Sequence, residues 1–208
     1  MSGPVVIVLA AGRGSRFRGL AHKLAQPLDA SSVLGTTLRQ VLASRLPMVV
    51  VATAAMAEIA QLSVATRDIV VLPDVGTPGQ EPLGMGFSIA CGVSARPNAT
   101  GWLILPGDMP MVGSATLQAV ARELRHQTVV YAQYRGQRGH PVGFSAELYS
   151  ELAALTGDEG ARRLVARYPA HGVDVDDPGV LIDIDTVADL DTVRSGSLPA
   201  SPVPARPA

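Results

Sequence analysis

The residues best suited to chemistry lie at the end of the first apolar run. There the chain reads Leu9-Ala10-Ala11-Gly12-Arg13-Gly14-Ser15-Arg16-Phe17-Arg18-Gly19. Gly12 and Gly14 let the backbone bend and approach a ligand closely, and successive amides in such a turn form a nest for an anion. Arg13, Arg16 and Arg18 add fixed positive charge, and Lys23 adds a mobile ammonium. The chemistry this suits is the binding of a phosphate chain. Neither of two common phosphate loops fits. A dinucleotide fingerprint needs glycine where Phe17 stands, and a P-loop needs Lys-Ser/Thr after Gly19, where Leu20-Ala21 follow. The plainer alternative is a strand-to-helix turn carrying solvated arginines.

Carboxylates come from two distant places. Trp102-Leu103-Ile104-Leu105-Pro106-Gly107-Asp108-Met109-Pro110 ends a buried strand with an acid between turn residues. Asp108 either offers a hard oxygen ligand to a cation such as Mg²⁺ or closes a turn. Leu181–Leu190 carries Asp183 and Asp185 at alternating positions, which one face of a strand would share. Asp185 or Thr186 also suits the N-cap of a helix running to Arg194.

Three further segments carry polar groups. Gly84-Met85-Gly86-Phe87-Ser88 precedes a helix, after the Pro- and Gly-rich stretch Pro73–Pro82. Its glycines permit close approach, and Ser88 can hydrogen-bond or cap. His140 lies in Arg138-Gly139-His140-Pro141-Val142, where a lone histidine serves structure or a pocket. Asp158 is a natural N-cap for the stretch holding Arg162 and Arg163. Arg162 either meets a phosphate or stays solvated.

The elements that must position these groups follow from short apolar runs. Val5–Leu9, Met48–Ala52, Ile69–Leu72, Trp102–Leu105 and Val129–Tyr134 read as strands buried on both faces. Between them, amphipathic helices are expected near Thr37–Ser44, Ala55–Leu62, Phe87–Ser94 and Ala115–Arg125. Such alternation makes a three-layer α/β/α fold on a mostly parallel central sheet. Beyond Tyr134 the expectation is a glycine turn (Gly136, Gly139, Gly143), helices over Ser145–Ala154 and Asp158–Tyr168, and short strands at Val173–Val175 and Val180–Ile184. Residues 1–194 are read as a single domain and 195–208, with four prolines, as a disordered tail.

Composition narrows the functions. In 208 residues, 17 Lys+Arg against 18 Asp+Glu give a net charge of −1, which supplies no basic field for nucleic acid. Aromatics, at 4%, are too few for base-stacking platforms. A hydrophobic fraction of 47% suffices for a core without staples. One cysteine, Cys91, excludes an intrachain disulfide and a multi-Cys zinc site, and is expected to pack as a small hydrophobe. With no basic leader and no apolar run near the ~20 residues a span requires, the chain is expected in the cytoplasm and off the membrane.

The ordered set of motifs resembles the nucleotidyltransferases of the molybdenum cofactor cytidylyl- and guanylyltransferase group, the MobA-like NTP transferases. Leu-Ala-Ala-Gly-x-Gly-x-Arg with its downstream Lys23, Gly-Met-Gly-x-Ser, Gly-Asp-Met-Pro, Gly-His-Pro-Val, Gly-Asp-x-Gly-Ala-Arg and Asp-x-Asp-Thr-x-x-Asp occur in the family's order between Val5 and Val193. The resemblance implies a Rossmann-like, nucleotide-diphospho-sugar transferase type of fold. It also implies that Leu9, Ala10, Ala11, Gly12, Arg13, Gly14 and Lys23 wrap an NTP triphosphate. Gly84, Gly86 and Ser88 would lie against its base and sugar. Asp108 would hold Mg²⁺ together with Asp185, Arg13, Lys23 and Asp108 would be catalytic, and His140 and Arg162 would face the acceptor. Two departures stand out: His22 occupies the place before the lysine where the family carries Asp or another polar residue, and Leu24–Gly35 matches the usual short hairpin poorly.

The activity so implied is CMP transfer from CTP to the phosphate of molybdopterin, releasing pyrophosphate and giving molybdopterin cytosine dinucleotide. The methyl of Ala11, where the guanylyl branch carries glycine, favours the pyrimidine. A molybdoenzyme or its maturation chaperone would be the protein partner. The alternatives are a guanylyl- or sugar-phosphate nucleotidyltransferase, and a non-catalytic module that binds nucleotide or delivers cofactor to a molybdoenzyme.

Overall fold

The computed structural model describes residues 3–14, 16–17, 19, 21–73, 84–157 and 160–196. The expected Pro73–Pro82 loop lies outside these residues except at Pro73. So do the proposed cap Asp158, Arg18 and residues 197–208 of the expected tail.

Strand β1 (Val5–Ala10) leads through the glycine segment to a 3-10 turn (Lys23–Ala25) and a two-residue hairpin, β2 (Pro27–Leu28) and β3 (Ser31–Ser32). The hairpin forms although its sequence fits the family pattern poorly; Asp29 takes the left-handed turn position, with φ 51°. Helix α1 (Val33–Ser44), β4 (Met48–Ala52), α2 (Ala54–Gln61), β5 (Ile69–Val71), α3 (Gly84–Ser94), β6 (Gly101–Pro106) and α4 (Ser114–Glu123) complete the first part. Then come β7 (Val129–Tyr134), β8 (Gln137–Ser145), α5 (Tyr149–Ala153), α6 (Arg162–Arg167), β9 (Ala170–Asp174), a 3-10 helix (Pro178–Leu181) and α7 (Val187–Arg194).

The main sheet runs β5-β4-β1-β6-β8-β7-β9, with β8 alone antiparallel to its neighbours among the described residues. The β-branched runs suit it because strands covered on both faces need apolar side chains at every position. Val6, Val8 and Ala10 face a core shared with α1, α2, α4 and α7, whereas Val5 and Ile7 face one shared with α3, α5 and α6. Those two cores make the three layers. The Trp102 ring is fully buried, and its Nε1–H donates to Arg96 O at 3.2 Å. Cys91 packs, partly buried, beside the second core. No helix among the described residues is long and apolar enough to cross a membrane.

Four expectations need correction. Only Gly136 lies in a turn (φ 77°); Gly139 and Gly143 are inside β8, a nine-residue strand. Close approach explains them: a Cβ at Gly139 would overlap the Val180 carbonyl, and one at Gly143 would stand 2.7 Å from Val130 Cγ2. Val180–Ile184 is not a strand. Pro178 and the Asp177 cap on Gly179 N wind it into the 3-10 helix Pro178–Leu181. The helix expected over Ser145–Ala154 is a 3-10 turn (Ala146–Leu148) followed by α5. Finally, Gly84–Ser88 does not precede a helix but forms the first turn of α3.

Because β8 and the 3-10 helix touch backbone to backbone at Gly139, Gly139→Ala should cost about 1–3 kcal/mol in urea unfolding, the usual scale of overpacking. Gly12→Ala, whose Cβ would meet nothing within 4 Å, serves as the near-neutral control.

Candidate active site at the strand switch point

The chain leaves β1 toward β4 on one side and β6 lies on the other, so the loops after β1 and β6 diverge from neighbouring strands. Open α/β sheets bind ligands in such a crevice, beyond the strands' carboxyl ends. Register draws the two loops together. Leu9 pairs with Pro106, and Gly107 N donates to Leu9 O at 2.8 Å. A Cβ on Gly107 would stand only 2.9 Å from Leu9 O, which is why glycine fits here. Thr37 Oγ1, fully buried on α1, donates to Gly107 O at 2.9 Å. Asp108 thus emerges from a tightly held backbone beside the glycine loop.

The third contributor arrives from the far end of the sequence. Ile184 N donates to Asp108 O at 3.0 Å, bringing residues 182–185 against the end of β6. Thr186, not Asp185, caps α7: its Oγ1 accepts from Asp189 N at 3.2 Å. Asp189 Oδ2 reciprocates by accepting from the amides of Thr186 (2.7 Å) and Asp185 (3.1 Å). This capping box leaves the Asp185 carboxylate free to turn toward Lys23.

Lys23 Nζ donates to Asp108 Oδ2 at 2.5 Å and to Asp185 Oδ1 at 2.8 Å, with all three side chains under 20% exposed. Burial alone would lower the lysine pKa; the adjacent Asp108 and then Asp185 outweigh it, so the ammonium is held above its ordinary value. Arg16 reaches Asp185 Oδ2 at 2.5 Å from a largely exposed position, a contact that solvent weakens. Asp183, which no specific role had singled out, stands on the rim. Partial burial, then the charges of Asp185 and Asp108, push its carboxyl pKa up. Asp108 Oδ1 is buried and has no hydrogen-bond partner among the described residues. Such an atom normally finds one, so it marks a place for a cationic or hydrogen-bonding group.

In the glycine segment Gly12 and Arg13 are exposed and Gly14 adopts φ 62°, which favours glycine. Leu9 and Ala10 are strand residues; Ala10 is fully buried, so any contact it makes beyond the sheet is through backbone. Ala11 is partly buried at the loop's base. His22, noted in the sequence only as a departure, bonds to this loop: its Nε2 lies 2.9 Å from Gly12 O.

Elsewhere the expected site residues divide. Gly86 is packed against the α5–α6 connection: its amide donates to Gly157 O at 2.8 Å, and a Cβ would lie 2.6 Å from Thr156 O. Ser88 Oγ turns back to Gly84 O at 3.4 Å. These contacts are internal to the fold, leaving Gly84 and the exposed Met85 as the accessible part of that turn. His140, partly buried on β8, has its pKa lowered by desolvation; Arg162 lowers it further and Asp108 opposes, so the three share one electrostatic neighbourhood. Arg162 opens α6 from an exposed position, and the N-cap of that helix is Ala161.

The His140 shift sets a pH dependence. With its folded value below the ordinary ~6.5, its contribution to stability is complete above that pH and is lost as pH falls through the folded value. Thermal melts from pH 8 to 5 should therefore show a steeper loss below about pH 6.5 in the wild type than in His140→Asn.

Residues 6–173 match the model of the MobA-like NTP transferase domain. The purine catabolism protein PucB of Bacillus subtilis is 30% identical over 203 residues, covering 90% of this chain and 94% of PucB. The bifunctional protein GlmU of Geotalea uraniireducens is 26% identical over 145 residues, and the match spans 31% of its length. Among solved structures, Rv0371c of Mycobacterium tuberculosis superposes with TM-score 0.75 at 28% identity, covering 93% of this chain and 99% of that one. Its manganese complex gives 0.72 at 27% identity, with the same coverage. The match runs from β1 into β9 and takes in the glycine loop and Asp108, and by it this chain belongs to the MobA-like NTP transferase family.

Proposed function

We propose that this nucleotidyltransferase moves CMP from CTP to the phosphate of molybdopterin, giving molybdopterin cytosine dinucleotide and pyrophosphate. The observation that carries the reading is the convergence of Lys23, Asp108 and Asp185 beside the glycine loop at the switch point. An acceptor phosphate oxygen attacks the α-phosphorus in line, one P–O bond forms, the α–β bridging P–O bond breaks, and pyrophosphate leaves. A phosphate monoester is already ionised at neutral pH, so the attack needs no general base, and none is required of His140. Held neutral by its lowered pKa, His140 suits hydrogen bonding on the acceptor side, with the Arg162 guanidinium supplying charge.

What remains for the protein is positioning and electrostatic stabilisation. The amides around Gly12–Gly14 and the Arg13 guanidinium receive the triphosphate, and the Lys23 ammonium offsets charge on the departing pyrophosphate. The donor set also fits a divalent cation. Among the described residues Asp108 presents a buried oxygen without a hydrogen-bond partner, and Asp185 shares the Lys23 ammonium with it. Among the described residues no group of three or more His, Cys, Asp or Glu is arranged to hold a metal, so the ion would rest on the Asp108–Asp185 pair. That matches Mg²⁺, which uses one or two carboxylates and completes its shell with water and substrate phosphates. When bound, it supplies Lewis-acid polarisation of phosphate oxygens. The manganese bound by Rv0371c supports a divalent ion in this family's fold.

The choice of base rests on Ala11, whose methyl at the loop's base narrows the space for a purine. Pyrophosphate release with each of four NTPs, with and without molybdopterin and Mg²⁺, tests the whole reading. CTP with molybdopterin should be the productive pair, and Asp108→Ala should lose at least about 10²-fold in kcat. GTP outperforming CTP would overturn the cytidylyl assignment. No pyrophosphate from any NTP would favour the non-catalytic module.

A further inference from the structure

The geometry around His22 points to a role that the motifs leave unassigned. Its imidazole makes two hydrogen bonds with backbone groups whose roles cannot switch. The Leu24 amide, 3.2 Å from Nδ1, is always a donor, so Nδ1 must carry a lone pair. The Gly12 carbonyl, 2.9 Å from Nε2, is always an acceptor, so Nε2 must carry the proton. Both bonds together select the neutral Nε2–H tautomer. The ring also covers Gly14, where a Cβ would stand 3.3 Å from both His22 Nε2 and Lys23 Cγ, at a φ of 62°. One side chain therefore ties both halves of the cradle: the Gly12–Gly14 backbone and the turn that carries Lys23. An aspartate at this place would accept from the Leu24 amide, but its carboxylate has no proton to give the Gly12 carbonyl.

We propose that His22 is a positioning residue of the nucleotide loop: it clamps Gly12 O to the Lys23 turn and so presets the loop backbone that receives the polyphosphate. This rests on the reading of residues 12–14 as the NTP loop. A preset loop spares the nucleotide the ordering cost on binding, so the effect belongs to NTP affinity and not to the acceptor.

Two substitutions separate the two bonds. His22→Asn retains an acceptor in the Nδ1 place and loses the donor to Gly12, whereas His22→Gln keeps a donor in the Nε2 place and loses the Leu24 cap. His22→Asn should raise the KM for NTP about tenfold, the scale of one hydrogen bond, with the acceptor KM and kcat little changed. His22→Gln should restore much of the NTP KM and instead lower kcat, because the Lys23 turn loosens. Independently, ¹⁵N NMR of the wild-type imidazole should show a single neutral tautomer with the proton on Nε2.

An Nδ1–H or averaged tautomer overturns the clamp. So does a His22→Asn enzyme whose NTP KM stays within about twofold of wild type. Equal rises in both KM values with a lowered Tm would mean that His22 only supports the fold. If the wild type turns over no NTP, the proposed function fails, while the NMR result still decides whether the clamp exists.

Discussion

The site depends on one buried ammonium between two carboxylates. Lys23 is removed from water at a desolvation cost, and Asp108 and Asp185 more than offset it, as the raised lysine pKa records. Removing one partner from such a group leaves uncompensated charge, which is why pairs of this kind hold their geometry. Lys23 follows β1, Asp108 follows β6 and Asp185 precedes α7, so this single interaction joins three distant parts of the chain. Arg16 adds a second cation from the loop on Asp185, and the charges of Asp185 and Asp108 reach Asp183, whose carboxyl pKa burial and they together push up.

Backbone contacts make that convergence possible. Gly107 lies flush against Leu9, Ile184 bonds the Asp108 carbonyl, and Gly139 admits the 3-10 helix against β8. None of these uses a functional side chain, yet each sets where one will stand. The capping box of Thr186 and Asp189 does similar work: by satisfying the first amides of α7 it leaves Asp185 to the site. Several family-motif glycines therefore act through packing. Gly86, which the family motif assigns to the nucleotide, packs on the backbone of Thr156 and Gly157.

The charged groups around Asp108 fall into two sets. In one, the Lys23 ammonium sits between two carboxylates, with the Arg16 guanidinium on Asp185. In the other, burial lowers the His140 pKa, Asp108 opposes and Arg162 lowers it further. In the proposed reaction this second set is the one assigned to the anionic acceptor.

The amino-acid sequence by itself determined the buried parallel strands and the helices between them. Val-, Ile- and Leu-rich runs such as Met48–Ala52 and Val129–Tyr134 form strands at those bounds, because burial on both faces is written locally in residue type. Asp108 stands out as a candidate between turn residues, and Lys23 as an ammonium close behind the glycine loop. The antiparallel β8 was not legible. Its glycines read as a turn because what they accommodate, the Val180 carbonyl and the Val130 side chain, lies elsewhere in the chain. Nor was the strand expected at Val180–Ile184 avoidable from alternation alone, since the backbone bends there for Pro178 and the Asp177 cap. The proposed role of His22 depends on the fold too: which proton an imidazole keeps depends on the partner at each nitrogen, and here one partner is ten residues away. Tertiary structure decided what depends on contacts distant in sequence, because a residue's type sets what it can bond to but only the fold sets what it meets.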